Sequence, residues 1–89
     1  MGQVDGKIAL ITGAAMGIGA ACAVRLAEEG ATIILTDIDD KKGESTAALI
    51  NSNGGRAEYL HQDVTQEDQW IALVNDIGAR HGGLDILVN

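Results

Sequence analysis

The sequence predicts an α/β fold, a doubly wound parallel sheet in three layers with helices on both faces. Three observations carry that reading. Short apolar, β-branched runs alternate along the chain with longer segments of helical periodicity. Glycines mark most of the changes from one to the other. Of the 89 residues 46% are hydrophobic but only 2% aromatic, and Phe is absent. A core of Ile, Leu, Val and Ala is the composition of strands buried on both faces.

The first strand is read over Lys7 to Thr12, after the turn signal Asp5-Gly6. A first helix follows from Gly17 to Glu29 and stops at Gly30, a residue free to take the left-handed conformation beyond a helix end. Ile18, Cys22 and Leu26 recur every four residues and are expected to pack, which makes Cys22 a packing residue rather than a reactive thiol. Ala31 to Thr36 forms a second buried strand that ends at Asp37. The polar run Asp39-Asp40-Lys41-Lys42 leads into a helix ending near Asn51, with Ala47, Leu49 and Ile50 for packing, and Asn53-Gly54-Gly55 stops it. Arg56 to Asp63 alternates partially, as a less buried third strand. Thr65 is the expected N-cap of a third helix running to about Arg80, with Asp68 as an imperfect capping-box partner. Trp70, Leu73, Val74 and Ile77 stand at helical spacing on it. Gly82-Gly83 ends that helix, and Leu84 to Val88 is a fourth strand.

Strands joined by helical crossovers make a parallel sheet. In a doubly wound topology their order is 3-2-1-4, and the carboxyl end of the first strand lies at the switch point where ligands bind. There stand Thr12-Gly13-Ala14-Ala15-Met16-Gly17-Ile18-Gly19, with glycines spaced by four and then two. A strand, a tight glycine turn and a helix start hold a phosphate against the helix N-terminus. One glycine turns the chain, one admits an anion close to the backbone, and one lets the helix approach its strand. The spacing differs from the commoner Gly-x-Gly-x-x-Gly, and no Lys-Ser/Thr pair makes it a Walker A loop. A purely structural glycine turn competes with a pyrophosphate loop at this stage.

Two later acids weigh in favour of a dinucleotide. Asp37 closes the second strand, 18 residues after Gly19, where a carboxylate accepts hydrogen bonds from both hydroxyls of an adenosine ribose and repels a 2′-phosphate. The loop carries no Arg or Lys to receive such a phosphate, so the pattern favours NAD over NADP. The competing role for Asp37 is a turn or helix cap. Asp63 and Val64, at the end of the third strand, offer a carboxylate to an adenine amino group and an amide to a ring nitrogen. Asp ends many strands, so that pair is weak by itself.

Net charge −7 and an isoelectric point near 4.4 argue against nucleic acid and anionic membranes as partners. Residues 1–6 lack the basic start of a secretory signal, and Gly6 stands where myristoylation wants Ser or Thr. A single cysteine, Cys22, makes no internal disulfide and suits a reducing cytoplasm. His61 and Asp63 can share a strand face but lack the further ligands of a metal site. His81, at the end of the third helix, is expected to meet that helix's carbonyls.

With these residues in view, the chain resembles the N-terminal part of a classical short-chain dehydrogenase/reductase over essentially its whole length. The matching residues are Thr12 to Gly19, Asp37, Asp63-Val64 and Asp85-Ile86-Leu87-Val88-Asn89. The resemblance implies a Rossmann fold and an NAD(H)-dependent alcohol or carbonyl oxidoreductase, usually an oligomer in the cytoplasm. Carried over, Gly13, Met16, Gly17, Ile18 and Gly19 hold the pyrophosphate, Asp37 the ribose, and Asp63 and Val64 the adenine. Asn89 matches the first residue of the family's Asn-Asn-Ala-Gly run. The family's Ser, Tyr and Lys for proton transfer have no counterpart here: four residues after Tyr59 stands Asp63. The 89 residues are therefore expected to be the cofactor-binding part of one domain, inactive alone, with strand four left as an open edge. A non-catalytic dinucleotide-binding module and an inactive fragment are the competing readings.

Overall fold

Thr32–Asp37 is the strand around which the rest is layered. In the computed structural model, which describes residues 6–13, 17–63 and 66–88, this strand (β2) lies between β1 (Ile8–Thr12) and β3 (Arg56–His61). The short β4 (Ile86–Val88) adds to the far side of β1, giving the parallel order β3-β2-β1-β4. Helices α1 (Gly17–Glu28), α2 (Asp40–Ser52) and α3 (Glu67–His81) make the crossovers. The register sets Thr12 beside Thr36 and Asp37 beside His61, so the carboxyl ends of β1, β2 and β3 share one rim.

Because successive strand residues face opposite sides, β2 feeds two cores. Ile33 and Leu35 join Ala9 and Ile11 under Ala23 of α1 and Ala47 and Ile50 of α2. Ile34 and Leu10 face Leu73 and Ile77 of α3, with Trp70 and Leu60 packed around them. Ile33, Ile34 and Leu35 are all fully buried, as a strand covered by helices on both faces requires. Full burial of an aliphatic side chain of this size is worth roughly 1.5–3 kcal/mol, so the three Ile and Leu positions of β2 carry much of the core.

Several boundaries and one helix face differ from expectation. α1 buries Ala23, with Val24, Leu26 and Ala27 packed beside it, whereas Ile18 is 84% exposed and Cys22 half-buried. The small residues are the ones that let the helix lie close to the sheet. Leu26 packs as expected, and with Ile18, Cys22, Ile86 and Val88 it lines an open apolar groove. On α2, Leu49 is likewise exposed, leaving Ala47 and Ile50 to pack. β3 ends at His61, two residues early, although the Gln62 amide still donates to Asp37 O at 3.0 Å. β4 begins at Ile86: Asp85 is occupied in tying its own amide to Ile8 O and its carboxylate to the Ile8 amide. The cap position of α3 is Gln66, without a side-chain cap bond, and Thr65 lies outside the described residues. His81 leaves the helix carbonyls for Glu58, its Nε2 3.5 Å from Oε1, within ion-pair reach but not hydrogen-bonded.

Candidate functional site

The rim at the carboxyl ends of β1, β2 and β3 gathers the residues that the sequence singles out. Gly13 directly follows β1 with φ +62°, and Gly17 opens α1 with φ +66°. Both angles lie in the left-handed region that L side chains avoid. Among the described residues a Cβ on either would meet no atom within 4 Å, so they leave space open beside both. Ile18 stands exposed in the first turn of α1, and Gly19 lies within that helix. The amides at the start of a helix carry partial positive charge and lack intrahelical partners, the setting for an anion. Met16, Val64 and Asn89 lie outside the described residues.

Asp37, the last residue of β2, is fixed from two sides. Its Oδ1 accepts from the Ile38 amide at 2.7 Å and from the Asp39 amide at 3.0 Å. This is an Asx-type turn, which holds a carboxylate in one orientation against its own backbone. Its main-chain carbonyl accepts from the Gln62 amide and, at 2.6 Å, from the Tyr59 hydroxyl. Asp39 caps α2, its Oδ1 accepting from the Lys42 amide at 3.2 Å. Asp63 lies just past β3, and its amide donates to Gln69 Oε1 of α3 at 3.2 Å. The rim therefore brings Gly13, Gly17, Asp37 and Asp63 to the same end of the sheet.

One group at this rim escapes a reading of motifs. Tyr59 and His61 stand two apart on β3 and so share the face toward α2. The Tyr59 hydroxyl lies 2.7 Å from Asp40 Oδ1 as well as 2.6 Å from Asp37 O, its single proton shared between the two acceptors. His61 Nδ1 donates to the same Asp40 oxygen at 2.7 Å. The Tyr59 and His61 hydrogen bonds hold the Asp40 carboxyl below the usual carboxylate range. Burial, then the neighbouring Asp40, push the Tyr59 phenol well above its ordinary value of 10.0. Gly43 makes the arrangement possible. It is buried on α2 with the Tyr59 ring directly against it, where any side chain would collide. The one signal available in sequence was the Tyr-x-His alternation on an otherwise apolar face.

Beneath the rim on the α3 side, Thr36 Oγ1 and both polar atoms of Gln62 are buried without a hydrogen-bond partner among the described residues. Among the described residues no group of three or more His, Cys, Asp or Glu side chains gathers as for a metal ion. No helix among the described residues is long and apolar enough to cross a membrane.

Known proteins share this architecture. The family model for short chain dehydrogenase matches residues 7–89. A cyclopentanol dehydrogenase of Comamonas sp. is 45% identical over the whole of this chain, which covers 36% of that protein. A 3beta-hydroxysteroid dehydrogenase of Mediterraneibacter gnavus is 40% identical, again over the whole chain and 32% of its own length. The solved structure of a short-chain dehydrogenase/reductase from Burkholderia xenovorans superposes with a TM-score of 0.95 at 42% identity, covering 100% of this chain and 37% of that one. A metagenomic short-chain oxidoreductase in complex with NADP superposes at 0.92 with 37% identity, covering 94% of this chain and 38% of that one. The chain thus spans about a third of the length of the relatives it matches. Its glycine loop, its strand order and these likenesses agree, and the chain belongs to the short-chain dehydrogenase family.

Proposed function

We propose that these residues form the adenine-side half of an NAD(H)-binding site in an oxidoreductase acting on an alcohol or carbonyl substrate. The observation that carries the reading is Asp37, a carboxylate fixed at the end of β2 by the Ile38 and Asp39 amides and on the same rim as the glycine turn. The open space beside Gly13 and Gly17 fits a pyrophosphate laid against the start of α1. In this reading Gly13, Met16, Gly17, Ile18 and Gly19 hold the pyrophosphate, Asp37 accepts from the ribose hydroxyls, and Asp63 and Val64 meet the adenine. The bound cofactor supplies the hydride chemistry. The residues named here bind and orient it and move no proton.

A 2′-phosphate brought to Asp37 would set like charges together in a setting that already holds Asp39 and Asp40. The nearest lysines in sequence, Lys41 and Lys42, follow those two carboxylates on α2. The relative in complex with NADP makes cofactor choice a question to settle on this chain's own residues. Isothermal titration with NAD and NADP tests it directly. NAD should bind more tightly, and Asp37→Ala should level or reverse the preference by about ten- to a hundredfold, the range for hydrogen bonds to a charged group. Equal dissociation constants in the unmutated protein would defeat the assignment.

No Ser, Tyr and Lys set for proton transfer stands in these 89 residues, so the stretch by itself is read as binding without turnover. The acidic chain with its one cysteine suits a reducing cytoplasm, and a homo-oligomer is the assembly we expect of the whole protein.

A further inference from the structure

We infer that Tyr59, held by Asp40, is a positioning residue for cofactor choice: its hydroxyl bond to the Asp37 carbonyl fixes the turn that presents the Asp37 carboxylate. The inference rests on the NAD reading of Asp37. Its own ground is geometric. Asp37 ends a strand, and the chain turns at Ile38 and Asp39 before α2 begins at Asp40. Along that turn the carboxylate accepts from the two amides that follow it. Such a local bond orients the side chain relative to its own backbone and leaves open where that backbone stands. Tyr59, beside the Gln62 amide that donates to the same carbonyl, supplies an outside reference. It reaches across from β3 and meets both ends of the turn, the Asp37 carbonyl at 2.6 Å and Asp40 Oδ1 at 2.7 Å.

The ring that carries this hydroxyl cannot drift. One side packs on the core beneath α2, and the Gly43 backbone closes the other. His61 anchors Asp40 in turn, so the acceptor at the α2 end is itself held from β3. The result is a clasp from β3 to both residues that flank the turn. Discrimination between a ribose 2′-hydroxyl and a 2′-phosphate depends on where a carboxylate stands to within a fraction of an ångström, since hydrogen bonds weaken steeply with misalignment. A turn released from the clasp keeps its charge and loses that placement.

The test uses ADP-ribose and its 2′-phosphate as probes, since both engage only the adenine side. Tyr59→Phe keeps the ring over Gly43, leaves every charge in place and removes the hydroxyl alone. The ratio of the two affinities, measured by calorimetry in the full chain, should fall by about three- to tenfold, the effect of one hydrogen bond of ordinary net strength. A merely structural loss would weaken both ligands together, leave the ratio unmoved and overturn the inference. So would no change in either affinity. Combining Tyr59→Phe with Asp37→Ala separates the inference from its foundation. If Asp37→Ala lowers the ratio and Tyr59→Phe adds nothing in that background, the clasp acts through Asp37. If Tyr59→Phe lowers the ratio equally in both backgrounds, it acts elsewhere and the inference fails. If Asp37→Ala leaves the ratio intact, the NAD reading fails first. Should Tyr59→Phe fold poorly, His61→Leu, at an exposed position, releases Asp40 and loosens the α2 end of the same clasp, and a fall in ratio is required of it.

Discussion

Replacing Gly43 by alanine should destabilise the protein, although alanine is the better helix former. A Cβ at this position would sit inside van der Waals contact with Tyr59 Cε1 and Cδ1 and 2.8 Å from Cζ. Helix propensity alone favours the change by roughly 1 kcal/mol. Against it stand overpacking of a filled site, about 1–3 kcal/mol, and loss of the hydroxyl bonds as the ring is pushed off Asp37 and Asp40, about 1 kcal/mol. The net loss is about 1–3 kcal/mol. Gly78 provides the matched control, because it is an exposed interior position of α3 where a Cβ would meet nothing within 4 Å. Gly78→Ala should therefore gain about 0.5–1 kcal/mol. Urea melts of the two variants beside the unmutated protein make the comparison. Equal and stabilising effects of both would show that the Tyr59 ring does not occupy the space over Gly43, and the clasp would fall with it.

Two pH dependences follow from the side chains of β3. Glu58 accepts two bonds from Arg80 at 2.9 and 2.6 Å, and these hold its carboxyl below the ordinary value of 4.5. A folded-state value below the unfolded one means its contribution is in place above about pH 4.5 and fades as the pH falls through the lowered value. Glu58→Gln should cost about 0.5–1 kcal/mol at neutral pH, a modest figure because the pair is over a third exposed, and progressively less as the pH falls below about 4.5. A difference in thermal melting that stays constant from pH 7 to pH 3 would refute the pairing. Tyr59 is the sole tyrosine, so absorbance at the phenolate band reads it alone. With its folded-state value raised, the neutral phenol stabilises the fold below about pH 10, and that contribution is lost as the pH rises. Half-ionisation near pH 10 in the folded protein would contradict the bonds to Asp37 and Asp40.

The parts of the molecule legible in its residues are those set by local pattern. The apolar run at Thr32–Asp37 could only be a strand covered on both faces, and alternation with helices left little choice of order. Spacing marks the glycines and Asp37, and the structure places Gly13, Gly17 and Asp37 on one rim. Ile18 shows where such reasoning stops. A stripe at every fourth residue says that a helix has an apolar face, but of this one Leu26 packs on the core beside the small residues while Ile18 stands exposed. Leu49 fails for the same reason, since apolar character does not name the side that packs. The Tyr59 cluster shows in sequence only as a Tyr-x-His alternation, for another reason. Its partners lie 22, 19 and 21 residues apart in sequence, and no short motif spans a contact made through a parallel ladder.

The outer side of β3 carries one more arrangement. In a parallel ladder alternate residues direct both backbone groups to the same side. The bond from the Gln62 amide to Asp37 O sets the phase, so the backbone N–H and C=O of Ala57 point away from β2. Asn51, in the last turn of α2, receives them: its Nδ2 donates to Ala57 O and its Oδ1 accepts from the Ala57 amide, each at 2.9 Å. A single carboxamide thus copies the peptide group of an absent neighbouring strand. It stops the outermost strand from recruiting a foreign one at the place where that strand begins, which protects the sheet from growing by addition at this border.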